Sequence, residues 1–148
     1  MKIDKYPLSS EQTFTVFKFI SEGHNGIIHK IIQYQETNEH GLYNLAFGDF
    51  DIGSSFLNDT TVSNNGDTEK ILATVVSSLY AFCDVYPSAF VYATGSTISR
   101  IRLYRMGISK YYNEIIMDFH VYGQVGDSFY EFELGKEYQG FLAQRKFT

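Results

Sequence analysis

The stretch AFVYATGSTISRIRLYRMGI, residues 89–108, holds an apolar strand, a glycine and an amphipathic helix in direct succession. We expect the strand over Ala89–Thr94, and Gly95 ends it because glycine lets the backbone turn closely. Ser96 or Thr97 is a suitable N-terminal cap for the helix. Apolar residues then recur at helical spacing, at Ile98, Ile101, Tyr104, Ile108 and Tyr111 or Tyr112. The stretch therefore predicts one strand–helix unit of an α/β sheet.

A second helix is expected on the N-terminal side of this unit. Asp67 is a suitable cap, and the helix ends near Tyr86–Pro87. Its apolar residues follow the same spacing, at Ile71, Leu72, Val75, Val76, Leu79, Phe82 and Cys83. Three strands rich in aromatic and β-branched residues precede it, over residues 13–20, 27–34 and 42–49. Their close connections predict an antiparallel meander.

On the C-terminal side, Ile115–Tyr122 is expected to form another strand. Residues 129–134 predict a further strand, and residues 137–147 predict a last short helix. The predicted order is β-β-β-α-β-α-β followed by a C-terminal extension. Because strand–helix–strand units connect parallel strands, we expect a mixed sheet of the α/β (α+β) class. A chain of 148 residues suits one hydrophobic core, so residues 1–148 are expected to form a single domain.

This order resembles the ribonuclease H-like fold, and two short stretches add to the resemblance. Ser63–Asn65 is similar to the segment that enters the first long helix of that superfamily, and Val91–Ser96 is similar to its fourth strand. The resemblance implies three carboxylates around two metal ions: on the first strand, in the first helix and at the end of the fourth strand. Here the first strand has no Asp, Glu69 lies near the helix position, and Gly95 occupies the fourth-strand position. We therefore expect no two-metal nuclease activity.

A second resemblance extends over the whole chain. It rests on the stretches YNLAFGD at residues 43–49, SNNGD at 63–67 and GSTISRIRLY at 95–104. Together they resemble a family of small uncharacterised proteins of Bacteroidetes-type bacteria. That family is a domain of unknown function, so the resemblance implies a family and no activity.

The charges are unevenly distributed along the chain. The formal net charge is -5, yet residues 85–113 contain four basic residues and no acidic one. A helix N-terminus offers free N–H groups and binds anions. We therefore expect one site for a phosphate or carboxylate, formed by Gly95, Ser96, Thr97, Arg100, Arg102 and Arg105. The alternative is that the arginines pair with acids of this chain, such as Asp49, Asp51 or Glu114.

A second candidate site is acidic and consists of Asp49, Asp51 and Glu69. Asp49 and Asp51 have the spacing that places two side chains on one side of a strand, which suits acid–base or metal chemistry. The alternative is a solvated strand end. The four histidines have no metal-ligand spacing, and no nucleotide-binding or hydrolase motif occurs. We therefore expect neither a metal nor a cofactor.

Composition and motifs together favour a non-catalytic binding or regulatory interaction module. Its expected partner is an unidentified protein or a phosphate-bearing ligand, and nucleic acid is less favoured because the protein is acidic overall. The alternative function is a divergent enzyme that acts on a phosphorylated or nucleic-acid substrate. The single cysteine excludes a disulfide scaffold, and neither an apolar leader nor a membrane-spanning run is seen. We expect a cytoplasmic protein that does not enter a membrane.

Overall fold

The computed structural model describes residues 4–50, 57–58, 65–95 and 97–146 of the chain. These residues form one mixed sheet with helices packed against it. The strands are β1 Ser9–Ser10, β2 Val16–Gly23, β3 Gly26–Glu36, β4 Leu42–Phe50, β5 Leu57–Asn58, β6 Phe90–Ala93, β7 Phe119–Val125, β8 Ser128–Glu131 and β9 Gly140–Arg145. The helices are α1 Thr68–Val85, α2 Ile98–Lys110 and α3 Tyr112–Asp118.

The first half of the sheet is the antiparallel meander β2–β3–β4 that the sequence predicts. Its first turn is tight, since Gly23 pairs with Gly26 and the φ of Gly26 is +87°, which glycine adopts without strain. The register places Phe19 opposite Lys30, and Lys30 opposite Asp49. These three side chains therefore share one face of the sheet.

Helix α1 returns the chain so that β6 pairs with β4 in parallel, from Leu42 opposite Phe90 to Leu45 opposite Ala93. This confirms the predicted parallel pairing of the strand after α1. Asp67 is the N-cap residue of α1, as predicted, but its side chain makes no capping hydrogen bond and binds other side chains instead. Since β4 and β6 are parallel, their carboxyl ends point to the same edge of the sheet.

The C-terminal part departs from the predicted elements. The predicted strand over Ile115–Tyr122 is wrong in its first half, which is α3, and β7 starts only at Phe119. The apolar run at its start fits either periodicity, and here Tyr111 and Ile115 are buried at helical spacing while Met117 is 75% exposed. The predicted helix over residues 137–147 is also wrong, because this segment contains β9.

Strand β9 explains why the sheet is mostly antiparallel. It lies between β6 and β7 and is antiparallel to both, so the strand order is β1-β2-β3-β4-β6-β9-β7-β8, with β5 paired to β4. Among the pairings between described strands, only β4–β6 is parallel. The predicted fold is therefore confirmed as a mixed α+β sheet, and its predicted order of elements is not.

The core lies between the sheet and the helices. Phe82 of α1 is fully buried and stacks on Tyr34 with a centroid distance of 4.3 Å, while the edge of Tyr43 meets it at 5.0 Å. The neighbouring Cys83 is 1% exposed. None of the helices in the described ranges combines the length and the apolar character that crossing a membrane requires.

Cys83 provides a test of this packing. Burial raises the pKa of its thiol to about 12, so only about one thiol in 10⁴ is ionised at pH 8. We expect the folded protein to resist 5,5′-dithiobis(2-nitrobenzoic acid) at this pH, and the denatured protein to react fully. The absorbance of the released thionitrobenzoate measures both rates. Fast reaction of the folded protein would contradict the packing of α1 against the sheet.

Candidate functional site

The helix-covered face of the sheet contains a buried lysine. Lys30 is only 4% exposed, and its cross-strand neighbour Asp49 lies with Oδ1 2.5 Å from the lysine Nζ. A charge removed from water needs such a partner, because the loss of hydration is costly for an unpaired ion. The pair lies near the carboxyl end of β4, the end at which sheets with parallel strands commonly bind ligands.

A second buried cation lies beside this pair. Arg100 of α2 is 6% exposed, and its guanidinium carbon is 4.8 Å from the centroid of the Phe47 ring. The Nζ atom of Lys30 is 5.8 Å from the same centroid. Both cations are within the range at which an aromatic ring attracts positive charge. We refer to Lys30, Phe47, Asp49 and Arg100 as the Phe47 cluster.

Two residues that precede α2 hold Arg100 in this position. Oγ1 of Thr97 accepts a hydrogen bond of 3.2 Å from the backbone N–H of Arg100, so Thr97 is the helix cap. Gly95 is needed for close approach, because a Cβ at this residue would lie 2.2 Å from the Cβ of Arg100. Three predicted site residues therefore meet after β6, while Ser96 lies outside the described residues.

The other two arginines of α2 have different surroundings. Nη1 of Arg105 is 3.6 Å from Oε1 of the exposed Glu137. Arg102 is exposed to solvent. The helical spacing predicts that Arg102 and Arg105, three residues apart, share one face of α2 and that Arg100 points elsewhere; of the three, only Arg100 joins the Phe47 cluster. The structure thus divides the predicted arginine group into one buried residue and two surface residues.

The acidic candidates do not form one group within the described residues. Asp49 contacts Lys30, whereas Oε1 of Glu69 lies 2.7 Å from Nζ of Lys110 on the surface. The hydrogen bond from Lys110 lowers the pKa of the Glu69 carboxyl. Asp51 lies outside the described residues. Across the described ranges, no three His, Cys, Asp or Glu side chains are grouped so that they could hold a metal ion.

A polar network that the sequence did not predict begins at Asn65. This residue is 2% exposed, and its side-chain N–H groups donate to Ser21 Oγ at 3.1 Å and to the carbonyl of Gly26 at 3.0 Å. Its Oδ1 accepts from the backbone N–H of Asn25 at 2.7 Å. Asn65 therefore ties the segment before α1 to the turn between β2 and β3.

Asp67 extends this network to the N-terminal segment. One carboxylate oxygen accepts hydrogen bonds of 2.5 Å from the hydroxyls of Tyr6 and Ser21. Burial, with the bond to Asp67, raises the pKa of the Tyr6 hydroxyl, which therefore stays protonated as a donor. Ser21 lies two residues after Phe19, the partner of Lys30 in the sheet. The network thus adjoins the Phe47 cluster on the same face.

The Lys30–Asp49 contact yields a prediction about stability. Asp49→Asn keeps the shape of the side chain and removes its charge, so Lys30 stays buried without a full counter-charge. We expect the free energy of unfolding to fall by about 3 kcal/mol or more, measured by urea denaturation. As the control, Glu137→Gln breaks an exposed pair and should leave stability close to that of the wild type. Equal effects of the two changes would contradict this role of Asp49.

Comparison with known proteins gives one match. A family model described as a family of unknown function (DUF6934) matches residues 2–146. No curated protein and no solved structure matches the chain.

Proposed function

The chain belongs to the DUF6934 family, and we propose that it is a non-catalytic binding module that holds a phosphate or carboxylate at the Phe47 cluster and the N-terminus of α2. The observation that carries this proposal is the burial of Arg100 beside Lys30 on one aromatic ring. Two neighbouring buried cations repel each other and have lost water. Asp49 offsets part of this cost at Lys30, and a bound anion near Arg100 would lower it further.

Arginine is suited to this role at the position it occupies. Its planar guanidinium presents a rigid fork of N–H donors that matches the two oxygens of a carboxylate or phosphate. The guanidinium lies over the ring of Phe47. Because Gly95 has no side chain, Arg100 at the start of α2 can pack directly against it. The positive dipole end of α2 adds to the attraction for an anion.

The charge along the chain also favours an anionic partner here. Residues 85–113 carry no acidic residue, and Arg102 on the exposed side of α2 adds a positive charge to the surface. The protein as a whole is acidic, so this attraction is local. We therefore favour an acidic protein or a phosphate-bearing ligand over a nucleic acid, whose long charged backbone suits a wider basic surface.

Several finer predictions stay predictions. These are the Bacteroidetes-type origin, the ribonuclease H-like order, the cytoplasmic location and the alternative of an enzyme acting on a phosphorylated substrate. The described acids give the enzyme no specific support, since Asp49 and Glu69 each contact a different lysine. The competing structural explanation of the buried arginine is an acid of this chain, such as Asp51.

Titration with inorganic phosphate separates these explanations. We expect the wild-type protein to bind phosphate in isothermal titration calorimetry and to bind it more weakly as sodium chloride screens the charges. Arg100→Gln should weaken binding about tenfold or more, because a charge-assisted hydrogen bond is lost. Arg102→Gln should weaken it less, since this residue lies at the surface.

Arg145→Gln is the matched control, because Arg145 contacts Asp84 at 2.9 Å and is not part of the Phe47 cluster. It should leave phosphate affinity unchanged. If the wild type binds no phosphate while Arg100→Gln strongly destabilises the fold, the buried arginine pairs internally and the proposal is wrong.

A further inference from the structure

A groove of about 590 Å³ lies between the N-terminal segment and the outer edge of β2. Strand β1 pairs with β2 only at Phe17 and Lys18. The N-terminal segment contacts β2 again at Tyr6, whose hydroxyl accepts a 3.0 Å hydrogen bond from the backbone N–H of Glu22. Between these two contacts, β2 lines the groove. The volume of the groove is in the range of small-molecule sites.

Basic side chains predominate among the charged residues of the groove. Its lining includes one acidic residue, Glu22, and the basic residues Lys18, His29, Lys30 and Lys70. Lys30 is 4% exposed and its charge is balanced by Asp49. The other basic residues still outnumber the acidic one, so the groove is suited to a ligand with negative charge.

Lys70 of α1 can receive the charge of such a ligand. Its side chain is 35% exposed, and its Nζ atom lies 4.3 Å from the centroid of the Tyr6 ring. Its counter-charge within the chain is Asp4, whose carboxylate lies 3.8 Å away and whose side chain is 85% exposed. Because an exposed ion pair adds little stability, a carboxylate bound in the groove can replace Asp4 beside Lys70.

Apolar side chains form part of the walls of the same groove. Pro7 and Leu8 line it from the N-terminal segment, and Ile20 lines it from β2 with 44% of its surface exposed. A ligand with a hydrocarbon body would remove this apolar surface from water, which favours binding. The three steps from Tyr6 to Ser9 span at most about 10 Å, which is the approximate length of an extended eight-carbon chain.

We infer that the groove binds a small organic carboxylate that carries an alkyl chain of medium length. The carboxylate contacts Lys70, and the alkyl chain lies between Leu8 and Ile20. This site is separate from the anion position proposed above, because the lining of the groove includes neither Phe47 nor Arg100. The inference therefore does not depend on the proposed function.

An acidic peptide is the other ligand that the charge of the groove admits. An extended peptide would bind to the edge of β2 as an added strand, but residues 6–9 already border the groove along this edge. The apolar walls and the volume of the groove favour the small carboxylate.

Calorimetric titration with octanoate at fixed ionic strength tests the inference, with butyrate, 1-octanol and a hexaglutamate peptide as comparison probes. We expect octanoate to bind about tenfold more tightly than butyrate, because its longer chain buries further methylene groups. The uncharged 1-octanol has the same chain length and should bind more weakly than octanoate, since it lacks the charge-assisted contact with Lys70.

Two variants, each with a matched control, assign the contacts. Lys70→Gln should weaken octanoate binding about tenfold through loss of the charge-assisted contact, whereas Lys136→Gln removes an exposed charge outside the groove lining and should not. Ile20→Thr should weaken octanoate binding more than butyrate binding. Ile27→Thr changes a residue that is 66% exposed and outside the lining, and should weaken neither. Thermal denaturation checks that each variant is folded.

Octanoate binding that falls in Lys70→Gln and in Ile20→Thr, and is unchanged in both controls, supports the inference. No binding of octanoate, equal affinities for octanoate and butyrate, or tighter binding of hexaglutamate would overturn it. Equal losses in Lys70→Gln and Lys136→Gln would show a general effect of charge and would also overturn it. None of these outcomes changes the result of the phosphate titration, which tests the proposed function separately.

Discussion

The attraction between the ring of Phe47 and the cations of Lys30 and Arg100 requires three separate parts of the chain to meet. The meander supplies Lys30 and Asp49 opposite each other, so a shift of one residue in this register would turn these side chains to the other face. The parallel strand β6 then delivers Gly95 and Arg100 to the carboxyl end of β4. The fold thus brings this charged contact together inside the core.

This contact is not explained by stability alone. Replacing a buried ion pair by apolar side chains of similar volume is often neutral or stabilising, so a core built only for stability has no need of Lys30 and Asp49. The network of Asn65 and Asp67 adds further buried polar groups beside it. Its hydrogen bonds restrict the positions of Tyr6, Ser21 and the turn between β2 and β3. Such a frame suits a site that must keep its cations in place before a ligand arrives.

Strong periodicity made part of the fold predictable. The meander, α1, β6 and α2 each carry a pattern of apolar residues that predicts the element, although the first strand, predicted over residues 13–20, lies at Val16–Gly23. The predictions for two segments were wrong for a physical reason. The run Ile115–Met117 fits a helix as well as a strand, and β9 is a short strand whose neighbours in the sheet, β6 and β7, come from distant parts of the chain. Pairing of this kind leaves no local signal.

Only the part of the candidate site around the start of α2 was predictable from the sequence. The glycine before α2 and the local excess of arginines pointed to Gly95, Thr97 and Arg100. Lys30 gave no signal, because a lysine within a strand usually faces water, and its burial depends on tertiary packing. Asn65 lies in a polar stretch that resembles an ordinary loop, and only the fold brings it to Ser21.

The most direct test of this account is the NMR signal of the Arg100 Nε–Hε group, assigned by its absence from the spectrum of Arg100→Lys. The account predicts that inorganic phosphate shifts this signal in a saturable manner, while sodium chloride at equal ionic strength does not. A signal that stays at the same position at all phosphate concentrations would contradict it, because the buried guanidinium would then be closed to any external anion.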